Sequence, residues 1–181
     1  MLAQEAATQL RLDEVLLVPV GEAPHRRIDP EPGPEVRLEM ARLAAESDEL
    51  LRASDAEVSR PGPSYTFQTL ERLRDERPGD ELWFLLGADV AAGLERWREP
   101  LRVLELARLG IAARPGTALN RAEEALERLD VSERWASVEM PEIAISSTDV
   151  RRRVAEGRPL RYLVPDGVRE LIEERGLYAD G

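Results

Sequence analysis

The chain has 181 residues with 43% hydrophobic and 34% charged side chains, ordinary proportions for one globular domain with a real core, taken as residues 1–181. A net charge of -11, the lack of cysteine and a single histidine exclude a broad polyanion-binding surface, disulfides, thiolate zinc sites and a multi-histidine metal centre. No apolar run approaches the roughly 20 residues of a membrane helix and no leader-like segment opens the chain, so we expect a cytoplasmic protein with neither nucleic-acid nor membrane partners.

Every basic residue is arginine, so an anionic ligand must be met by arginine, histidine or backbone. The opening "MLAQEAATQLRLDE" has helical spacing but no cap before it. "EVLLVPV", Glu14 to Val20, is a short apolar run of the kind that forms a buried parallel strand. The proline-rich "GEAPHRRIDPEPGP" is a loop, and "EVRLEMARLAAES" a helix with Val36, Met40, Leu43 and Ala44 on one face. A strand is predicted in "LLRASDAEV", a loop in "SRPGPSY" and a helix in "TFQTLERLRDERP".

"ELWFLLGA", Glu81 to Ala88, is the most strand-like run in the chain. "DVAAGLERWREPLRVLELA" reads as a helix, a break at Pro100 and a second short helix. "RLGIAARPG" follows as a strand, "LNRAEEALERL" as a helix and "ASVEMPEIAI" as a last strand. The tail supplies helices in "TDVRRRVAEG" and "VPDGVRELIEERG", closed by Gly157 and Gly176. Strands and helices alternating in this way predict an α/β fold, a doubly wound, Rossmann-like parallel sheet with a helical C-terminus.

In such folds ligands bind beyond the carboxyl ends of the strands. Four loops leave those ends: "PHRR" after Val20, "SYT" after Val58, "GAD" after Leu86 and "SSTDVR" after Ile145. His25 and Arg26 lie in a loop too rich in proline for a core, where they are either solvated or grip an anion. Tyr65 and Thr66 open a helix whose first amides can meet a carboxylate, with a hydroxyl cap as the plain alternative. Gly87 lets a ligand approach the backbone, and Asp89 either caps its helix or meets a ribose hydroxyl. Trp97 is either core or a flat surface for a heteroaromatic ring, and Arg114 either reaches the crevice or is a solvated turn residue.

The run Ser146, Ser147, Thr148 has two readings. Ser146 with Asp149 matches a capping box. The same hydroxyls and first-turn amides, with Arg151 one turn inside the helix, also form a cradle for phosphate.

Taken together, "LDEVLLVPVGEAPHR", "SYTFQTL", "FLLGADVAAGLERW", "ARPG", "ISSTDVR" and "GRPLRYLVPDGVRELIEERGLY" resemble the bacterial nicotinate mononucleotide adenylyltransferase family, essentially end to end. The resemblance implies an enzyme that joins ATP, carried with Mg²⁺, to nicotinate mononucleotide, releasing pyrophosphate and giving deamido-NAD. It implies that Gly87, Asp89, Ser146, Ser147, Thr148 and Arg151 contact ATP, with Thr148 and Arg151 closest to the reaction. Tyr65, Thr66 and Trp97 would receive the nicotinate ring, and His25, Arg26 and Arg114 would sit near the mononucleotide and phosphates. No resident metal site is implied, and assembly into a homo-oligomer stays open.

The family also opens with a strand and a Gly-x-Phe-Asp-Pro-x-His-x-Gly-His loop, neither of which this sequence contains. The expectation is that Met1 is internal and that this segment lies upstream. Two alternatives stand beside the enzyme: a nucleotide-binding module without catalysis, and a related transferase acting on nicotinamide mononucleotide or phosphopantetheine.

Overall fold

The computed structural model describes residues 1–23, 32–113, 119–131 and 133–179. Its elements in chain order are α1 (Leu2–Leu10), β1 (Val15–Leu17), α2 (Pro34–Ala45), β2 (Leu51–Ala53), α3 (Thr66–Glu76), β3 (Trp83–Gly87) and α4 (Ala88–Ala91). A 3₁₀ turn at Leu94–Arg96 leads to α5 (Pro100–Leu106), β4 (Arg108–Ala113), α6 (Leu119–Arg128), β5 (Trp135–Glu139), α7 (Ser147–Ala155) and α8 (Asp166–Glu174). The chain divides into two compact units, Met1–Val15 with Ser64–Glu142 and Leu16–Pro63 with Ile143–Gly181.

The first unit is built on the parallel sheet β3-β4-β5, in which Gly87 lies opposite Ala112 and Ala112 opposite Val138. The carboxyl ends of its three strands therefore share one edge. Leu109, Ile111 and Val138 are wholly buried, as parallel strands covered by helices require. The helix α6 presents Ala122, Ala125 and Leu126 to the interior, the i, i+3, i+4 spacing of one helical face. Val103, Leu104 and Leu106 from α5 join the same core.

Glycine at 110 fits the α1 side of the sheet, because a Cβ there would stand 2.5 Å from Leu85 Cδ2 and 3.0 Å from Leu10 Cδ1. The outer edge of β5 is met by Gln9 of α1. Its Nε2 donates to the Glu139 carbonyl at 3.0 Å and its Oε1 accepts from the Glu139 amide at 2.9 Å.

The second unit holds the two-stranded sheet β1-β2, where the Ser54 amide donates to the Leu17 carbonyl at 2.9 Å. Its core gathers Leu160, Val168 and Ile172, against which Met40, Leu43 and Ala44 of α2 pack together with Val150 and Val154 of α7. Both α7 and α8 end in the same closure. Gly157 and Gly176 adopt left-handed φ of 65° and 57°, and each pair of following amides returns to the last turn, Gly157 to Val154 and Arg158 to Arg153, Gly176 to Glu173 and Leu177 to Ile172.

The parallel order and the helices between strands bear out the α/β expectation, with the strands distributed over two sheets. Several boundaries differ, and the first strand stops at Leu17 rather than Val20. The second strand stops at Ala53 rather than Val58, because Ser54 Oγ accepts from the Ala56 amide and the Ser59 amide returns to Asp55, forming a turn. The last strand stops at Glu139 rather than Ile145. Met140 makes the final ladder bond to Ala113, and Pro141 has no N–H to continue. The helix after β3 is a single turn followed by the 3₁₀ segment. On α2 the fully buried residue is Leu38, outside the expected face, while Val36 is only partly covered.

Candidate functional site

The second unit presents the hydroxyl run as the N-terminus of α7. Ser146 is the N-cap, and its Oγ accepts from the Asp149 amide at 3.1 Å while donating to Asp149 Oδ2 at 2.5 Å. The Asp149 carboxyl is held below the usual carboxylate range, chiefly by that hydroxyl; partial desolvation opposes the shift, and the Arg152 charge and the Ser146 amide add to it. Arg152 reaches Asp149 Oδ1 at 2.9 Å and so neutralises it.

The cap uses Ser146 alone. Ser147 and Thr148 lie in the first turn, where amides have no partner within the helix, and both side chains are exposed. Arg151 stands 3.5 Å from the Thr148 hydroxyl and makes no ion pair with the described residues. Arg152 is paired with a carboxylate and Arg153 is held by the Pro159 carbonyl, so of the three consecutive arginines Arg151 is the one tied to neither a carboxylate nor a carbonyl of the described residues. Chemically this is an anion cradle: open amides, two hydroxyls, the positive end of the helix dipole and one guanidinium. The two sequence readings divide the run between them: the Ser146 hydroxyl serves the cap, and Ser147, Thr148 and Arg151 are left to meet an anion. Because β5 ends at Glu139, the cradle does not leave a strand end directly, and residues 140–146 lead into it.

In the first unit Gly87 is the last residue of β3 and the N-cap of α4, with φ of -76°. A Cβ there would meet nothing within 4 Å. Neither conformation nor packing calls for glycine at this position, and open space lies above the strand end. Asp89 sits in the first turn of α4 with its side chain exposed; no side chain, its own included, caps that turn from Gly87.

Tyr65 is the N-cap of α3 and Thr66 its first residue, with no side-chain cap. The Tyr65 ring stacks near Phe67, with centroids 6.3 Å apart, and carries the Arg98 guanidinium 4.6 Å above its face. Trp97 packs edge-on against Phe84 of β3 at 5.8 Å and joins the rim of the core with Phe67. It is therefore partly core, as the plain reading has it, and partly exposed.

Tyr65, Thr66, Trp97, Gly87 and Asp89 all belong to this first unit, and Ser146, Ser147, Thr148 and Arg151 to the second. His25, Arg26 and Arg114 lie outside the described residues. Arg98 and Phe67 were not singled out by sequence; an arginine directly after Trp97 in an acidic chain was the available signal. A cavity of about 500 Å³ opens at the opposite ends of β3 and β4, beside Arg74, Arg108 and Arg134. Arg74 and Arg134 hold carbonyls at the C-terminus of α5, which marks that cavity as structural. Among the described residues no three His, Asp or Glu side chains gather to hold a metal, and no helix is long and apolar enough to cross a membrane.

A family model described as Cytidylyltransferase-like matches residues 1–153. The "Probable nicotinate-nucleotide adenylyltransferase" of Roseiflexus sp. (strain RS-1) is 46% identical over 177 residues, which span 98% of this chain and 88% of that protein. The protein of the same name from Thermus thermophilus is 42% identical over 176 residues, 97% of this chain and 89% of its own length. Among solved structures, Plasmodium falciparum nicotinic acid mononucleotide adenylyltransferase complexed with NaAD superposes with a TM-score of 0.71 at 15% identity, covering 97% of this chain and 90% of that one, a likeness of fold.

Proposed function

This chain belongs to the Cytidylyltransferase-like family, in the company of the nicotinate-nucleotide adenylyltransferases, and from that premise we propose that it transfers the adenylyl group of ATP to nicotinate mononucleotide. A phosphate oxygen of the mononucleotide attacks the α-phosphorus of ATP. The new P–O bond forms as the bond to the α,β-bridging oxygen breaks, and that electron pair leaves with pyrophosphate. Deamido-NAD is the other product.

Such a transfer asks for in-line positioning and charge neutralisation rather than a protein nucleophile. In this reading the Ser147 and Thr148 amides and hydroxyls receive ATP phosphate oxygens and Arg151 balances their charge, with Ser146 holding the turn in place. Gly87 and Asp89 face the nucleotide. Tyr65, Thr66 and Trp97 take the nicotinate ring, while His25, Arg26 and Arg114 contact the mononucleotide and phosphates. Mg²⁺ arrives with ATP as part of the substrate, held by phosphate oxygens, and supplies charge neutralisation there. The reading places the enzyme in the cytoplasm, where its ATP is made.

The observation that carries the proposal is the N-terminus of α7, where first-turn amides, exposed hydroxyls and an arginine with no ion pair among the described residues lie within one turn. The test is pyrophosphate release from Mg²⁺ and ATP with nicotinate mononucleotide, nicotinamide mononucleotide or phosphopantetheine. Release that depends on nicotinate mononucleotide is the expected result. No release with any acceptor, together with no calorimetric binding of ATP, would refute it.

A further inference from the structure

The chain leaving β1 is held by a side chain from α2. Arg37 Nη2 donates to the Val20 carbonyl and, at 3.1 Å, to the Gly21 carbonyl. Both carbonyls lie past Leu17, where β1 ends. Arg37 itself stands one turn inside α2, its amide donating to the Gly33 carbonyl at 3.1 Å, and that helix start is fixed by Gly33 at φ 88° and by Pro34 in the first helical position. A cation near a helix N-terminus opposes the helix dipole. The helix therefore gains nothing from an arginine at this position, and the reach back to β1 accounts for it.

One Nη2 carries two N–H bonds, one for each carbonyl, so a single planar group sets the tilt of two successive peptide units. A rigid peptide plane turned by its carbonyl turns its N–H and the next Cα with it. The chain continues as Glu22, which pairs in parallel with Pro63, and Tyr65 follows Pro63 by two positions. His25 follows Gly21 by four. Two segments that the adenylyl-transfer reading gives to the acceptor, His25 with Arg26 and Tyr65 with Thr66, thus continue from backbone tied to one guanidinium. The ATP cradle is set differently, by its own cap of Ser146 on Asp149.

We propose that Arg37 is a positioning residue for the acceptor, acting through the Val20 and Gly21 carbonyls rather than on a nucleotide itself. This deepens the adenylyl-transfer reading and rests on it. A displacement of about 1 Å in a substrate-holding segment can cost about a hundredfold in rate, so the backbone Arg37 holds matters more to the reaction than to the fold.

The experiment measures kcat and KM for nicotinate mononucleotide and for ATP, with calorimetric Kd values for each, in the wild type, Arg37→Met, Arg37→Lys and Leu38→Ala, all well below their melting temperatures. Arg37→Met keeps the bulk and loses the donors; it is expected to raise the KM and Kd for nicotinate mononucleotide by at least about tenfold while those for ATP stay within about twofold. Arg37→Lys, which keeps a charged donor on a shorter stem, should lose less, and it serves as the reading if Arg37→Met fails to fold. Leu38→Ala removes the neighbouring buried side chain of α2 and should lower the melting temperature with both KM values within about twofold. An unchanged KM for nicotinate mononucleotide in the Arg37 variants, equal rises for both substrates, or the same selective rise in Leu38→Ala would overturn the proposal. In each of these cases a wild type active on nicotinate mononucleotide leaves the adenylyl-transfer reading standing. A wild type that neither turns over nor binds nicotinate mononucleotide removes both.

Discussion

Replacing Gly110 by alanine tests how α1 is seated on the sheet. The added Cβ would lie 2.5 Å from Leu85 Cδ2, 3.0 Å from Leu10 Cδ1 and 3.7 Å from Val138 Cγ2. Carbon atoms prefer about 3.5–4.0 Å, so two leucines must move by roughly 0.5–1 Å in a packed layer. Overpacking of this kind costs about 1–3 kcal/mol. The alanine also restricts the unfolded chain, which returns about 0.4–1 kcal/mol. The difference is a destabilisation of roughly 0.5–2 kcal/mol, and with an m-value near 2 kcal/mol/M it lowers the urea midpoint by about 0.3–1 M. Tryptophan fluorescence reports the transition, since Trp83, Trp97 and Trp135 all lie in the same unit. Shortening the neighbour should recover part of the loss: Gly110→Ala in a Leu10→Ala background is expected to cost less than in the wild type. A midpoint for Gly110→Ala at or above that of the wild type would refute the argument, and equal costs in both backgrounds would remove Leu10 from it.

Arg151→Ala should raise the KM for ATP at least about tenfold, through loss of a charge-assisted contact, while the melting temperature stays within about 2 °C, because the side chain has no ion pair among the described residues to lose; steady-state kinetics and a thermal melt check both. Ser146→Ala should destabilise by about 1 kcal/mol through the lost cap, read by urea unfolding. Because Asp149 titrates below its ordinary value of 3.8 in the folded state, its contribution is complete above that pH and is lost as the pH falls through the depressed folded value. The gap between Ser146→Ala and wild type should therefore narrow on acidification, and a gap that widens below pH 4 would contradict the assignment. Gly157→Ala, at φ 65°, should cost about 1 kcal/mol in unfolding while leaving the KM for ATP unchanged, since it strains the far end of α7.

Much of the fold could be read from periodicity. The apolar runs that became β3 and β4 and the faces of α3 and α6 stand out because their core contacts recur at strand or helix spacing. The overshoots at β2 and β5 come from competing chemistry that hydrophobicity conceals. Ser54 and Asp55 turn the backbone before Val58 can extend it, and Pro141 ends a ladder that Ile143 and Ile145 would prolong if apolar character alone decided. Within the candidate site, the layout of the α7 N-terminus was legible because capping rules fix where Ser146, Asp149 and Arg151 must stand relative to one another. Arg98 was not, because its place depends on the ring of Tyr65, thirty-three positions earlier, and on the strained backbone at Glu99.

Gln9 also bears on how the molecule stays apart from its copies. A glutamine amide has the same donor and acceptor as a peptide group, so at Glu139 one side chain stands in for a further strand. An extended segment approaching that rim finds the Glu139 pair already taken and must first displace a helix anchored by Ala6 and Ala7. Mutation of Gln9 to a residue without an amide would thus expose an adhesive rim, and the first sign should be turbidity at high concentration rather than a fall in catalytic rate.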